Sequence, residues 1–130
     1  MTVGVNTANL ANKWLDMLGG TAFTAPTNTY VQLHTGDPGS AGTANAVSPD
    51  PTRKQITWSA ASSGSKAMSG TLSWTSWASG TETITHISIW DASSNGNVLW
   101  SGALAASRTV NDGDTFNLTA LTVALTPLMA

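Results

Sequence analysis

From Thr29 onward the apolar residues of this chain recur at every second position, in short runs of Thr, Val, Ile and Trp broken by clusters of Gly, Pro, Asn, Asp and Ser. Alternation sends successive side chains to opposite faces of a pleated strand, so each run buries one face only and needs others beside it. The runs predict strands at 30–34, 54–60, 71–76, 82–90, 97–102, 107–110, 114–118 and 121–125. About eight short antiparallel strands with turns between them read as an all-β fold, a jelly-roll-like β-sandwich over 29–126.

Helical spacing occurs once. Leu10, Ala11, Trp14, Leu15 and Leu18 recur at intervals of three and four, which predicts one amphipathic N-terminal helix over 6–19. Asn6 or Thr7 can cap its start, and Gly19-Gly20 can end it through a left-handed residue. Its apolar stripe needs a partner surface, either the domain's own sheet or a neighbouring subunit. Asn95-Gly96 and Asp112-Gly113 supply the positive-φ chemistry of tight hairpin turns. Residues 35–52 have no apolar period and hold three prolines and three glycines, which reads as a long surface loop of the kind that carries function.

The surface is constrained by composition. Only 9% of the 130 residues are charged, against about 25% in ordinary soluble domains, so Thr, Ser, Asn, Gly and Ala must coat the exterior. This length fits one domain, residues 1–130. The bases Lys13, Arg53, Lys54, Lys66 and Arg108 are scattered and the net charge is -2, which excludes a phosphate-binding stripe and hence nucleic acid as a partner. The absence of cysteine removes disulfides and thiol chemistry. No apolar run approaches a membrane span, and the start lacks a basic leader with an apolar core, so neither membrane insertion nor a cleaved secretory signal is expected.

No set of residues converges on covalent chemistry. His34 and His86 fall at a strand end and within a strand, and neither has Asp37 or Asp91 at metal-ligand spacing, so each is read as a structural histidine and no metal or cofactor is expected. The serines and threonines occupy strand alternation or turns, and no Gly-x-Ser-x-Gly elbow exists. Asp37, Asp112 and Asp114 precede Pro or Gly or sit in an Asn-Asp-Gly turn, which is turn chemistry with too few oxygens for calcium. No catalytic residue is assigned, and the chain is expected not to be an enzyme.

Six tryptophans remain to be placed. Trp14 belongs to the helix stripe, and Trp58, Trp90 and Trp100 lie in strands where packing is the default. Trp74 and Trp77 are three apart, so on one strand they face opposite sides and one of the two is expected at the surface as an interface anchor or sugar platform, with Trp77 taken as the candidate.

The runs Tyr30-Val31-Gln32-Leu33-His34-Thr35-Gly36-Asp37-Pro38-Gly39, Gly42-Thr43-Ala44-Asn45 and Arg53-Lys54-Gln55-Ile56-Thr57-Trp58 stand in one order with Ile84-Thr85-His86-Ile87-Ser88-Ile89-Trp90-Asp91-Ala92, Gly96-Asn97-Val98-Leu99-Trp100 and Val110-Asn111-Asp112-Gly113-Asp114-Thr115-Phe116. Together they resemble a family of small tailed-bacteriophage virion proteins described as head decoration, minor tail or tail-fibre proteins. The chain departs from that pattern at Ala46 and in Ser48-Pro49-Asp50-Pro51, inside the long loop.

The resemblance implies a structural virion protein assembled in the host cytoplasm. The expectation drawn from it is a capsid decoration protein on the head surface. Its partners would be the major capsid protein and sister subunits in a cyclic homo-oligomer such as a trimer. The alternative is a minor tail or tail-fibre protein that touches host cell-surface glycan. Leu10, Trp14, Leu18, His34, Asp37, Arg53 and Trp77 are the candidate partner interface.

Overall fold

The computed structural model describes residues 3–126 and residue 129. Among these, nine strands form: β1 (Gly4–Val5), β2 (Thr29–His34), β3 (Lys54–Trp58), β4 (Ser65–Ser69), β5 (Leu72–Trp74), β6 (Glu82–Trp90), β7 (Val98–Val110), β8 (Phe116–Leu118) and β9 (Thr122–Ala124). Seven of them make one sheet in the order β1-β7-β6-β2-β3-β4-β9, while β5 and β8 make a second, and every pairing is antiparallel. The fold is sandwich-like and all-β, with a division of seven and two instead of the even halves of a jelly roll.

Register explains which side chains make the core. Val31 pairs with Ile89, Leu33 with Ile87, and Ile89 with Trp100, so these residues share one face of the large sheet. Trp74, Phe116 and Leu118 of the small sheet join them, with Ile56, Met68 and Ile84, in a single buried cluster. The Trp74 and Phe116 rings meet edge to face with centroids 5.8 Å apart. The opposite face of the large sheet carries Tyr30 beside Trp90, Gln32 beside Ser88 and His34 beside His86.

The helical segment starts with a π-helical turn (Thr7–Ala11), continues as α1 (Asn12–Asp16) and ends in a 3-10 turn (Met17–Gly19). Of the two candidate caps, Asn6 and Thr7, Asn6 is the cap: its Oδ1 accepts from the Asn9 backbone N–H at 2.9 Å. Gly20, at φ 88°, ends the segment in the left-handed region. Asn6 N–H donates to the Leu99 carbonyl at 2.8 Å and Asn9 Nδ2 to the Val98 carbonyl at 2.9 Å, which tie the helix start to β7.

Three local expectations change. The runs 97–102 and 107–110 are one continuous strand, β7, because Gly102–Ser107 contains no turn signal and β6 supplies partners from Trp90 back to Glu82 across bulges. β4 arises in a stretch with a single large apolar residue, Met68, and it forms because β3 and β9 pair with its two edges. β1 lies outside 29–126 yet joins the large sheet. The Asn-Gly turn does place Asn95 and Gly96 at φ 54° and 71°, but within a longer connection. There Asp91 accepts from the Asn97 backbone N–H at 2.7 Å.

Candidate functional site

The candidate interface residues do not converge on one surface. Arg53, His34 and Asp37 belong to the face of the large sheet that carries Trp90, while Leu10, Trp14 and Leu18 sit with the helix near the other face. Trp77 is in the core.

On the Trp90 face, residues 35–52 fold back over the sheet as a compact loop. Thr35 N–H donates to Asn45 carbonyl at 2.8 Å, Ala44 N–H to Pro38 carbonyl at 3.0 Å and Val47 N–H to Leu33 carbonyl at 3.2 Å. Asp37 Oδ1 accepts from Gly39 N–H at 2.8 Å, an Asx turn. Gly42 is buried against this face while Val47 reaches the core cluster on the other, so the segment read as a surface loop also seals the sheet at its edge. Gly42 is the contact point: a Cβ placed there would lie 2.7 Å from Val98 and 2.8 Å from the Trp90 ring.

A buried polar relay fixes this loop. His34 is 0% exposed, and its Nδ1 lies 2.9 Å from the Ala44 carbonyl. A carbonyl only accepts, so Nδ1 carries the proton and neutral His34 offers Nε2 as an acceptor. The Ser88 hydroxyl, 2.7 Å away, donates to Nε2 and accepts from Trp90 Nε1, also at 2.7 Å. Every polar atom in the relay is then satisfied with histidine uncharged. Burial lowers the His34 pKa below the ordinary histidine value, against the Ala44 hydrogen bond, and the neighbouring His86 and Arg53 charges lower it further.

Arg53 covers the outer side of the same tryptophan. Its guanidinium carbon is 3.5 Å from the Trp90 ring centroid. Nε donates to Gln32 Oε1 at 3.1 Å, and Nη1 donates to the Ala92 and Asn95 carbonyls at 3.1 and 2.6 Å. These bonds commit the fork to the fold and join β2 to the β6–β7 connection.

The other face holds a cleft, and strand lengths explain it. The small sheet has three-residue strands, about 10 Å long, against a nine-residue β6 of about 30 Å. It cannot roof the end of the large sheet that carries Ile56, Ile89 and Trp100. The helix and residues 23–29 roof that end incompletely, leaving an apolar cleft of about 540 Å³. Leu10 is buried on the sheet, and Trp14 forms a wall with its ring 6.0 Å from that of Trp100 at 56°. Trp58 and Val123 close the far side. The rest of the helix stripe is left outside, with Leu15 63% and Leu18 87% exposed.

The expectation that one of Trp74 and Trp77 lies at the surface is overturned: Trp74 is 0% exposed and Trp77 2%. The Trp77 Nε1 donates to the Gly80 carbonyl at 3.1 Å. The expectation required Trp74 and Trp77 to share a strand, but β5 ends at Trp74 and the chain turns through Ser79 at φ 63°, which brings both rings inside. His34 and Leu10 are also interior, so of the seven candidates only Leu18 projects freely, with Trp14, Asp37 and Arg53 partly covered.

The cleft itself has no counterpart among the sequence expectations. Its signal was present in Ile56 and Trp58, which share parity on β3, but parity does not say that the opposing sheet is too short. Among the described residues no group of three or more His, Asp or Glu side chains could hold a metal ion. No described helix is long and apolar enough to cross a membrane.

Compared with known proteins, residues 6–126 match the family model described as Podophage GP4 fiber I protein gp80. No curated protein matches the chain.

Proposed function

Because the chain belongs to the Podophage GP4 fiber I protein gp80 family, and is thus a structural virion protein of a tailed phage, we propose that it is a tail-fibre component and not a head decoration protein. The observation that carries this reading is the extent of the match, which runs from the helix cap at Asn6 through β9 and so covers the helix, the long loop and both sheets. A fibre subunit serves by docking. Its work is to hold a shape and present surfaces to sister subunits, which a neutral Thr, Ser and Asn exterior with few charges permits with little dependence on salt.

In this reading the protein is non-catalytic. Ser88 and His34 lie within hydrogen-bond reach of each other but are both 0% exposed and spend their hydrogen bonds on Trp90 and the Ala44 carbonyl, so the pair supports the loop and offers no nucleophile to a substrate. A glycan platform on Trp77 is not part of the proposal, because that ring is enclosed.

Labelling intact virions with an antibody against the chain, followed by electron microscopy, tests the assignment. Label confined to the tail is expected. Label spread over the head lattice would return the protein to decoration, with the major capsid protein as partner.

A further inference from the structure

We propose that the apolar cleft is the docking site for a second copy of this chain, which inserts the exposed end of its helix, Leu15 and Leu18. This deepens the sister-subunit part of the fibre reading by naming the surface, and it holds or fails in solution whatever the position of the protein in the virion.

The ligand class follows from the walls. Trp14, Trp58, Trp100, Ile89 and Val123 line the cleft, and three of the polar groups on its rim are already engaged. Asn28 Oδ1 accepts from Gln55 Nε2 at 3.0 Å, Thr29 Oγ1 accepts from Trp58 Nε1 at 2.8 Å, and Lys66 Nζ donates to the Ser59 carbonyl at 2.8 Å. A sugar or a charged group would lose its water there and gain few hydrogen bonds, whereas an aliphatic side chain loses nothing. The occupant is therefore apolar.

The same chain carries such an occupant. Leu18 at 87% exposed and Leu15 at 63% protrude from the helix beside the cleft, together with Met17. They cannot fold into their own cleft, because Trp14 of the same helix is one of its walls. A second copy solves both problems at once. Charge agrees with this pairing: Lys66 is the one charged residue lining the cleft, and Asp16 is exposed between Leu15 and Met17 on the inserting helix. One surface thus receives and a different surface inserts, the arrangement that builds rings or stacks from identical subunits.

Sedimentation of the full chain tests the pairing. The wild type is expected to associate as concentration rises, and Leu18→Glu, at an exposed position that leaves the core intact, to weaken association at least tenfold. Ala124→Arg, which places a long charged side chain on the cleft rim, is expected to do the same, with Ala61→Arg as the second variant if Ala124→Arg does not fold. An equimolar mixture of Leu18→Glu and the rim variant combines one intact cleft with one intact helix end, so it is expected to form a one-to-one complex that neither forms alone. A wild type that stays monomeric up to roughly 1 mM overturns the proposal. So does a Leu18→Glu chain that associates like the wild type, or a mixture that remains two monomers.

Discussion

The guanidinium of Arg53 lies 3.5 Å from the centroid of the Trp90 ring while its N–H groups reach Gln32, Ala92 and Asn95. This one side chain therefore closes the outer surface of β2 and β6 over a tryptophan that also donates to Ser88 and meets the long loop at Gly42. A partly desolvated cation over an indole contributes about 1 kcal/mol, and hydrogen bonds from a charged donor about as much again or more. Arg53→Met is expected to lower unfolding free energy by about 2 kcal/mol in urea titration. Arg53→Lys, which keeps the charge and loses the planar fork, is expected to recover less than half of that. Equal stability of all three would show that the stacking does not matter.

The neutral state of His34 makes stability depend on pH in a definite direction. Protonation puts a hydrogen on Nε2, so Ser88 must accept from both His34 and Trp90 and its own hydroxyl hydrogen loses its partner. The folded pKa lies below the ordinary value of 6.5. A depressed histidine favours folding most when it is neutral in both states, which is above 6.5, and that contribution is lost as pH falls from there through the folded pKa. The slope approaches about 1.4 kcal/mol per pH unit, one proton's worth. Urea titrations between pH 7.5 and 4.5 should show the decline, and His34→Gln, which can still donate to Ala44 and accept from Ser88, should flatten it. An unchanged slope in His34→Gln would assign the proton elsewhere.

Gly42 and Gly70 separate backbone conformation from crowding. Both have positive φ, 73° and 80°, which strains any residue with a Cβ by about 1–2 kcal/mol. Only at Gly42 would the Cβ also strike Val98 and Trp90, at 2.7 and 2.8 Å, whereas nothing lies within 4 Å at Gly70. Gly70→Ala is expected to cost about 1 kcal/mol. Gly42→Ala is expected to cost about 3 kcal/mol or more and to lift residues 35–52 from the sheet, which limited proteolysis would detect as new cleavage within that segment. Similar losses at the two positions would mean that the loop yields without resistance.

Much of this fold is legible in the sequence. Ile84, Ile87 and Ile89 with their polar neighbours mark β6 at its true ends, and Asn6 and Gly20 bracket the helix because capping is local chemistry. Features that depend on distant partners were less legible. Ser65-Lys66-Ala67-Met68-Ser69 has little intrinsic strand character and becomes a strand because two neighbours bond to it. The candidate site suffered most for the same reason: His34 and Trp77 look available in sequence, and only the return of residues 35–52 and the turn after Trp74 enclose them. Leu18 stands exposed because the helix stripe runs on past Leu10 and Trp14, the part of it that the sheet covers.

Trp77 gives the sharpest separation between a surface role and a core role. An exposed platform could be removed with an effect on binding alone, since surface substitutions usually change stability by under about 0.5 kcal/mol. The ring instead lies in the buried cluster with Trp74, Val47 and Val110, and its N–H is matched to the Gly80 carbonyl. Trp77→Ala is therefore expected to cost about 3–5 kcal/mol, because it removes the largest class of side chain and leaves a cavity that a packed β core refills poorly. Trp77→Phe keeps most of the volume and leaves the Gly80 carbonyl without its donor, for about 1–2 kcal/mol. Thermal unfolding of the two variants beside the wild type measures both. If Trp77→Ala melts with the wild type while losing affinity for cells or virion partners, the ring acts at the surface. A large loss in Trp77→Ala with a small one in Trp77→Phe would place it, as the packing does, among the residues that hold the two sheets together.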